Sequence, residues 1–160
     1  MKLSNSYAGH QIDILALDVP DSIEGEVPPS FSNVFRICAG MQKVAQIYII
    51  KLFTALESKL VDKTEGTVIG DLLLGRIAVG ADFINDTISI GHVEAVSSIL
   101  DDQEQRIDSG KTIPDDENLQ EATLISIENI DATKVKFTVG LDTLSESGVY
   151  IIPVKFPVGS

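Results

Sequence analysis

The hydrophobic period changes from helical to alternating near residue 120, and that change constrains the fold more than any other feature. Apolar residues recur at helical spacing through residues 34–56, and two shorter segments, 67–79 and 86–102, show the same spacing. Beyond residue 120 the spacing becomes an alternation, as in KVKFTVGL at residues 134–141. Helices followed by strands predict an α+β fold, in which about three helices pack on a C-terminal three-stranded antiparallel meander.

The predicted strands cover residues 121–130, 134–141 and 148–156. The connection at residues 131–133 has the length of a hairpin turn, whereas the next connection is a longer polar turn. Pro153 lies in the last strand and has no N–H to donate to a neighbouring strand. We therefore predict that the last strand lies at an edge of the sheet.

The first 32 residues are predicted to form an extended arm in front of a single domain at residues 33–160. Residues 11–18 partly alternate and predict a short strand. Regular structure is then interrupted by Pro20, Gly25, Pro28 and Pro29. Ser32 or Asn33 would cap the first helix. Two placements of the arm remain open, one on a neighbouring subunit and one on its own domain.

The charge balance argues against nucleic acid and anionic membranes as partners. Lys and Arg number 12 against 24 Asp and Glu, which gives a net charge of −12, and such a chain repels phosphate backbones and anionic lipid. No apolar run reaches the roughly 20 residues of a membrane span, and the N-terminal residues lack the apolar run of a signal peptide. Hydrophobic residues make up 44% of the chain, which is enough for a globular core. Since no membrane span or signal peptide is evident, we expect a protein of the cytoplasm. The negative net charge favours basic partners.

No pattern in the sequence predicts catalysis, a cofactor or a metal site. Cys38 is the only cysteine and lies in an apolar segment, which predicts a buried thiol. His10 and His92 have no further ligands at metal-binding spacing. The carboxylate runs at residues 101–102 and 115–117 lie beside polar loops, where charged side chains are usually solvated. We therefore predict a protein that is not an enzyme and holds no cofactor.

One charged pair lies between the third predicted helix and the loop that leads to the sheet. Glu104 and Arg106 occur in the segment DQEQRI at residues 102–107. Residues two positions apart do not face each other on a helix, but from an extended turn each side chain can reach a different partner. The planar guanidinium of arginine suits a two-point bond to a carboxylate. This pair is the candidate contact with another subunit.

The order of these features resembles that of a known family. Three helices are followed by Glu104-Gln105-Arg106 and then by strands that end in a hydrophobic-Pro-hydrophobic pattern. Upstream, LFTALESK at residues 52–59, Asp62 and EGT at residues 65–67 precede the leucines at 72–74. Over residues 33–156 this order resembles the small baseplate wedge proteins of contractile-tailed phages, once called lysozyme-like, which have a counterpart in type VI secretion baseplates. The family signature is Glu-Pro-Arg, so Gln105 stands where the family has proline.

The resemblance implies a structural role in the virion. A protein of this family is an inner wedge component of the tail baseplate, assembled in the host cytoplasm, which joins other wedge proteins around the hub and tube in a symmetric ring. Glu104 and Arg106 would lie at the joint with a larger wedge subunit. The last strand would contact the tail sheath protein and start sheath assembly, since an edge strand can add a strand of a neighbour. Its predicted contact residues are Val149, Ile151, Val154 and Phe156.

Two alternatives to the baseplate hypothesis remain open. One is a different interaction module, such as a phage tail completion protein or an adaptor. The other is a glycan hydrolase, which would need two carboxylates about 5–10 Å apart across a groove. The partners of the last three strands would separate the first alternative from the baseplate hypothesis, and the positions of Asp101, Glu104 and Asp115 would test the second.

Overall fold

Nine elements follow one another along the parts of the chain that the structure describes. The computed structural model describes residues 12–20, 24–28, 31–58, 66–74, 83–131 and 133–156. The elements are β1 (Asp13–Leu17), β2 (Glu24–Glu26), β3 (Phe31–Cys38), α1 (Gly40–Phe53), α2 (Val68–Leu73), α3 (Ile84–Asp108), β4 (Leu119–Asn129), β5 (Lys134–Thr143) and β6 (Ser147–Lys155). Three helices and six strands within these ranges confirm the predicted α+β class.

The larger sheet has four strands in the order β2-β6-β5-β4. β4, β5 and β6 pair antiparallel in chain order, as the alternating sequence predicts. β2 pairs parallel with β6 at residues 149–151, so the prediction of a three-stranded sheet was wrong. The first half of β6 is consequently an inner strand and not an edge. The last residue of β6 that pairs with β2 is Ile151. Pro153 follows it, so the missing N–H of the proline removes no hydrogen bond between these two strands.

The smaller sheet joins β1 to β3 in antiparallel pairing. β3 includes residues 34–38, which the helical spacing assigned to the first helix, so that part of the prediction was wrong. The partners, such as Ile14 and Ile37, are distant in sequence, and a local pattern does not reveal them. The chain enters α1 at Gly40, whose φ of +59° is a left-handed conformation that favours glycine. Residues 13–17 and 24–26 thus pair with strands of their own chain.

α1 lies in the centre of the apolar core. It contacts α3, α2, β1 and β6, and the side chains of Tyr48 and Leu52 are fully buried. The sheet supplies alternate residues of β5 and β6 to the same core, namely Val135, Phe137, Val139, Leu141, Tyr150 and Ile152. Cys38 belongs to this core, as predicted, and burial raises the pKa of its thiol to about 11.

α2 is a single short helix that begins after Thr67. The hydroxyl of Thr67 accepts a hydrogen bond from the Gly70 N–H at 3.2 Å, which satisfies one free donor of the first turn. Gly91 of α3 lies directly against α2, because a Cβ there would stand 2.6 Å from Cγ1 of Ile69. Residues 75–79 of the predicted helix lie outside the described residues.

α3 is longer than the sequence predicted. It runs to Asp108 rather than to residue 102, because residues 103–107 favour helix and the first strong break is Gly110, at a φ of +79°. Glu104 and Arg106 therefore lie on a helix, and the predicted extended turn was wrong. No helix within the described residues is both long and apolar enough to cross a membrane.

Candidate interaction site

An open groove of about 550 Å³ lies between α1, the last turns of α3 and the loop at residues 109–117. Its floor is apolar and comes from both helices, with Val44, Ile47 and Ile50 on α1 and Ile99 on α3. Since α1 is buried along most of its length, the groove is one of the places where this helix reaches the surface. Its combination of an apolar floor and a charged rim is typical of a protein-binding surface.

More basic than acidic side chains line the groove, unlike the chain as a whole. Four basic residues and two acidic ones line it: Lys43, Lys51, Arg106, Lys111, Asp102 and Glu117. This local excess of positive charge occurs on a chain whose net charge is −12. The groove therefore favours a negatively charged ligand or segment, whereas the protein as a whole repels one.

One of the ion pairs is buried beneath the groove. The Lys43 ammonium and the Glu117 carboxylate lie 2.6 Å apart, and their side chains are 6% and 3% exposed. The same carboxylate accepts the Gly40 N–H at 3.4 Å, at the positive end of the α1 dipole. The pair fastens the loop before β4 to the start of α1, which gives the groove a fixed wall.

A second ion pair connects the two helices across the groove. The Lys51 ammonium lies 2.7 Å from the Asp102 carboxylate and donates to the Ser98 hydroxyl at 3.0 Å. Asp102 is half exposed, so this pair is worth less to the stability of the fold than the buried one. It holds the last turn of α1 against the last third of α3.

The remaining two cations of the groove have no partner among the residues that the structure describes. Arg106 and Lys111 are exposed, and within the described part of the chain neither side chain forms a hydrogen bond or an ion pair. The backbone keeps them close, because the Lys111 N–H donates to the Arg106 carbonyl at 3.0 Å. The groove thus presents two adjacent cations that are available to a ligand.

Glu104 and Arg106, the predicted joint, do not lie on one surface. Residues two positions apart on an α-helix are separated by about 200° around its axis. Arg106 lines the groove on the α1 side, whereas Glu104 is exposed and does not line it. Lys43, Lys51 and Lys111 also line the groove and were not predicted from the sequence. For the first two, a four-residue spacing with Ile47 offered a signal.

The four predicted sheath-contact residues divide between the two faces of the sheet. Val149 and Ile151 are 42% and 37% exposed, whereas Val154 and Phe156 are buried in the core. β2 occupies the side of β6 next to the first two, through pairs that include Glu24↔Val149. The edge on which strand addition was predicted is therefore filled at these positions by the chain itself.

A buried polar pair connects α1, α3 and β4. The Tyr48 hydroxyl lies 2.8 Å from Nδ1 of His92, and Nε2 of the same ring lies 3.2 Å from the Ala122 carbonyl. Because a carbonyl only accepts, Nε2 carries the proton and Nδ1 accepts the bond from Tyr48. Burial lowers the pKa of His92 and raises the pKa of Tyr48. Both polar groups are satisfied by each other and by the backbone, which is typical of a structural pair.

The carboxylates that a hydrolase would need do not converge in the groove. Asp101, Glu104 and Asp115 are all exposed, and none of them lines it. The described ranges contain no group of three or more His, Cys, Asp or Glu side chains that could hold a metal ion. Comparisons of the chain with protein-family models, with curated proteins and with solved structures found no match.

Proposed function

We propose that this protein is a non-catalytic subunit of the inner wedge of a contractile phage tail baseplate, where it joins wedge proteins around the hub and tube and supports the first sheath ring. The order of motifs along the chain motivates the assignment. The observation that carries it is the position of Arg106, whose guanidinium has no partner among the described residues and lies on the rim of a groove with an apolar floor.

The groove suits a joint between subunits for three reasons. Arginine is enriched at protein interfaces, because its planar fork bonds a carboxylate at two points. The apolar floor of Ile47, Ile50 and Ile99 can bury aliphatic side chains of a partner. The buried pair of Lys43 and Glu117 holds the wall rigid, which lowers the entropy lost on binding. In this proposal the groove receives an acidic segment of a larger wedge protein.

The sheath contact in this proposal uses a face of the sheet instead of an edge. Val149 and Ile151 are exposed on β6, while β2 covers the neighbouring edge. The other outer strand, β4, has irregular register with β5 around Gln120 and Ile125, and such bulges protect an edge against strand addition. Contact through these exposed apolar side chains is the mechanism that the proposal assigns to the sheath platform.

The second candidate function is a tail completion protein or adaptor. The pairing of β2 with β6 favours this candidate. The sheath platform was predicted to bind a neighbour by strand addition at the last strand, and β2 already occupies that position at residues 149–151. An adaptor would use the groove in the same way but would lie away from the sheath. The position of the chain within a tail separates the two candidates.

A tagged chain tests the assignment. Expressed with an affinity tag in the cells that encode it, the protein should purify with contractile tails, and electron microscopy should place it as a ring at the baseplate beside the first sheath layer. A position at the opposite end of the tail would favour the completion protein. Purified tails without the chain would contradict both candidates.

Substitutions in the groove test the joint. Arg106→Ala should yield fewer assembled baseplates, and Arg106→Lys should rescue them only in part, because lysine keeps the charge but loses the two-point bond. Arg36→Ala is the matched control, since Arg36 is exposed on β3 and does not line the groove. Normal sheathed tails from Arg106→Ala would remove the assigned role of this residue.

A further inference from the structure

The outer face of α3 carries an apolar stripe that faces away from the core. Its members follow the three-and-four spacing of a coiled-coil seam, and we call them the outer seam: Ile90, Val93, Ser97, Leu100, Glu104 and Ile107. The four apolar members are 53%, 64%, 38% and 54% exposed, in chain order. The seam spans about 26 Å of helix, at 1.5 Å per residue.

This stripe is distinct from the face that α3 buries. The core face consists of Ile84, Ile88, Gly91, His92, Ala95 and Ile99. With successive residues placed 100° apart around the helix axis, this face lies opposite the outer seam. A helix with apolar residues on two opposite faces has enough apolar surface for a second packing layer. Four large aliphatic side chains in register are more than the single exposed residues that a soluble surface normally carries.

The charges beside the seam are acidic. Asp101 and Asp108 lie at the positions that flank it on one side, and Glu104 lies within it. None of these three carboxylates forms a hydrogen bond or an ion pair with the described part of the chain. Charges that flank a helix seam form ion pairs with the flanks of the partner helix and so determine which partner binds. Acidic flanks on this seam therefore favour a helix with basic flanks.

A second copy of the chain is disfavoured as that partner. In a parallel pair, Glu104 of each copy would meet the other across the seam. In an antiparallel pair, the flanks that hold Asp101 and Asp108 would face each other, and like charges across a seam oppose association. An anionic membrane surface is disfavoured for the same reason, because the flanks of this helix are acidic.

We propose that the outer seam of α3 is a docking surface for an amphipathic helix of a partner protein, with aliphatic residues at seam spacing and Lys or Arg on its flanks. The helix packs its apolar residues between Ile90 and Ile107, and its basic side chains pair with Asp101, Glu104 and Asp108. This inference does not rest on the tail assignment, because it follows from exposure, spacing and charge alone.

Two designed peptides test the proposal on the purified full-length chain. Both are helical, about three heptads long, with Leu at the seam positions, and they differ only in carrying Lys or Glu on the flanks. Fluorescence anisotropy of the labelled peptide measures binding. We expect the Lys peptide to bind, to weaken as salt rises, and to bind about tenfold or more tightly than the Glu peptide.

Variants of the chain locate the binding site. Val93→Asp should weaken binding of the Lys peptide by about tenfold or more, whereas Leu144→Asp, which changes an exposed apolar residue outside the seam, should leave it unchanged. Glu104→Lys should weaken the Lys peptide and strengthen the Glu peptide. Circular dichroism should show the same fold in all three variants, since the substituted side chains are exposed.

Several results would overturn the proposal. Equal affinity for the two peptides, no binding of the Lys peptide, or equal effects of Val93→Asp and Leu144→Asp would each do so. A dimer in sedimentation equilibrium that Val93→Asp abolishes would assign the seam to a second copy. Binding to phosphatidylcholine–phosphatidylserine vesicles that Val93→Asp abolishes would assign it to a membrane surface. The tail experiments above are independent of all these outcomes.

Discussion

Replacing Lys43 by Met should destabilise the fold strongly, because the substitution leaves the buried Glu117 carboxylate without its ammonium partner. The two side chains are 6% and 3% exposed, and their charged atoms lie 2.6 Å apart. Breaking such a buried pair costs about 3–5 kcal/mol. Glu117 keeps the Gly40 N–H at 3.4 Å, so we expect the lower end of this range, about 3 kcal/mol.

Urea denaturation followed by circular dichroism measures this loss. With a slope of about 1.5–2 kcal/mol/M for a domain of this size, a loss of about 3 kcal/mol lowers the unfolding midpoint by about 1.5–2 M. Lys51→Met is the matched control on the same helix. Its partner Asp102 is 47% exposed, so we expect a loss of about 1 kcal/mol or less.

The double variant Lys43→Met with Glu117→Gln separates the lost pair from the lost side chain. The glutamine carbonyl can still accept the Gly40 N–H, and no charge remains buried, so this variant should be more stable than Lys43→Met alone. The reasoning is refuted if Lys43→Met costs no more than Lys51→Met. A double variant less stable than Lys43→Met would show that the unpaired carboxylate is not the cause of the loss.

Two further predictions concern the contacts of α3. Burial holds the pKa of His92 below its ordinary value of 6.5, so its contribution to stability is present above pH 6.5 and is lost as the pH falls through the lower, folded-state pKa. Wild-type protein should therefore lose more unfolding free energy than His92→Gln between pH 7 and pH 5, and equal losses in urea titrations would contradict this. Gly91→Ala should lower the melting temperature, because the new Cβ would stand 2.6 Å from Cγ1 of Ile69 and overpacking costs about 1–3 kcal/mol. A raised melting temperature would mean that the gain in helix propensity outweighs this contact.

Local spacing was a sound guide where the pattern was clear and its partner lay next to it in sequence. β5 alternates cleanly and pairs with β6, the next strand along the chain, and both strands were predicted close to their observed positions. The start of α1 shows the opposite case. Residues 34–38 contain apolar side chains at positions that suit either a helix or a strand, and pairing with β1 decides for the strand.

The candidate site was only partly visible in the sequence. Arg106 could be predicted as a contact residue because it lies between the third predicted helix and the sheet, and its guanidinium suits a bond to a carboxylate. Its neighbours in the groove could not, since Lys43 and Glu117 lie far apart in sequence and meet only when the loop packs on α1. The assumption of an extended turn also hid the separation of Glu104 from Arg106, which follows directly once α3 extends to Asp108.

The sequence by itself determined the α+β class, the order of the elements from α1 to β6, and the absence of known catalytic motifs, because these properties depend on spacing between near neighbours. The tertiary structure alone decided which of the two apolar faces of α3 is buried, which strand of the sheet β2 pairs with, and which cations of the groove lack a partner within the described residues. Each of these depends on contacts between distant segments, and a helix with two apolar faces satisfies its local pattern whichever face it buries. The outer seam and the groove follow from that choice.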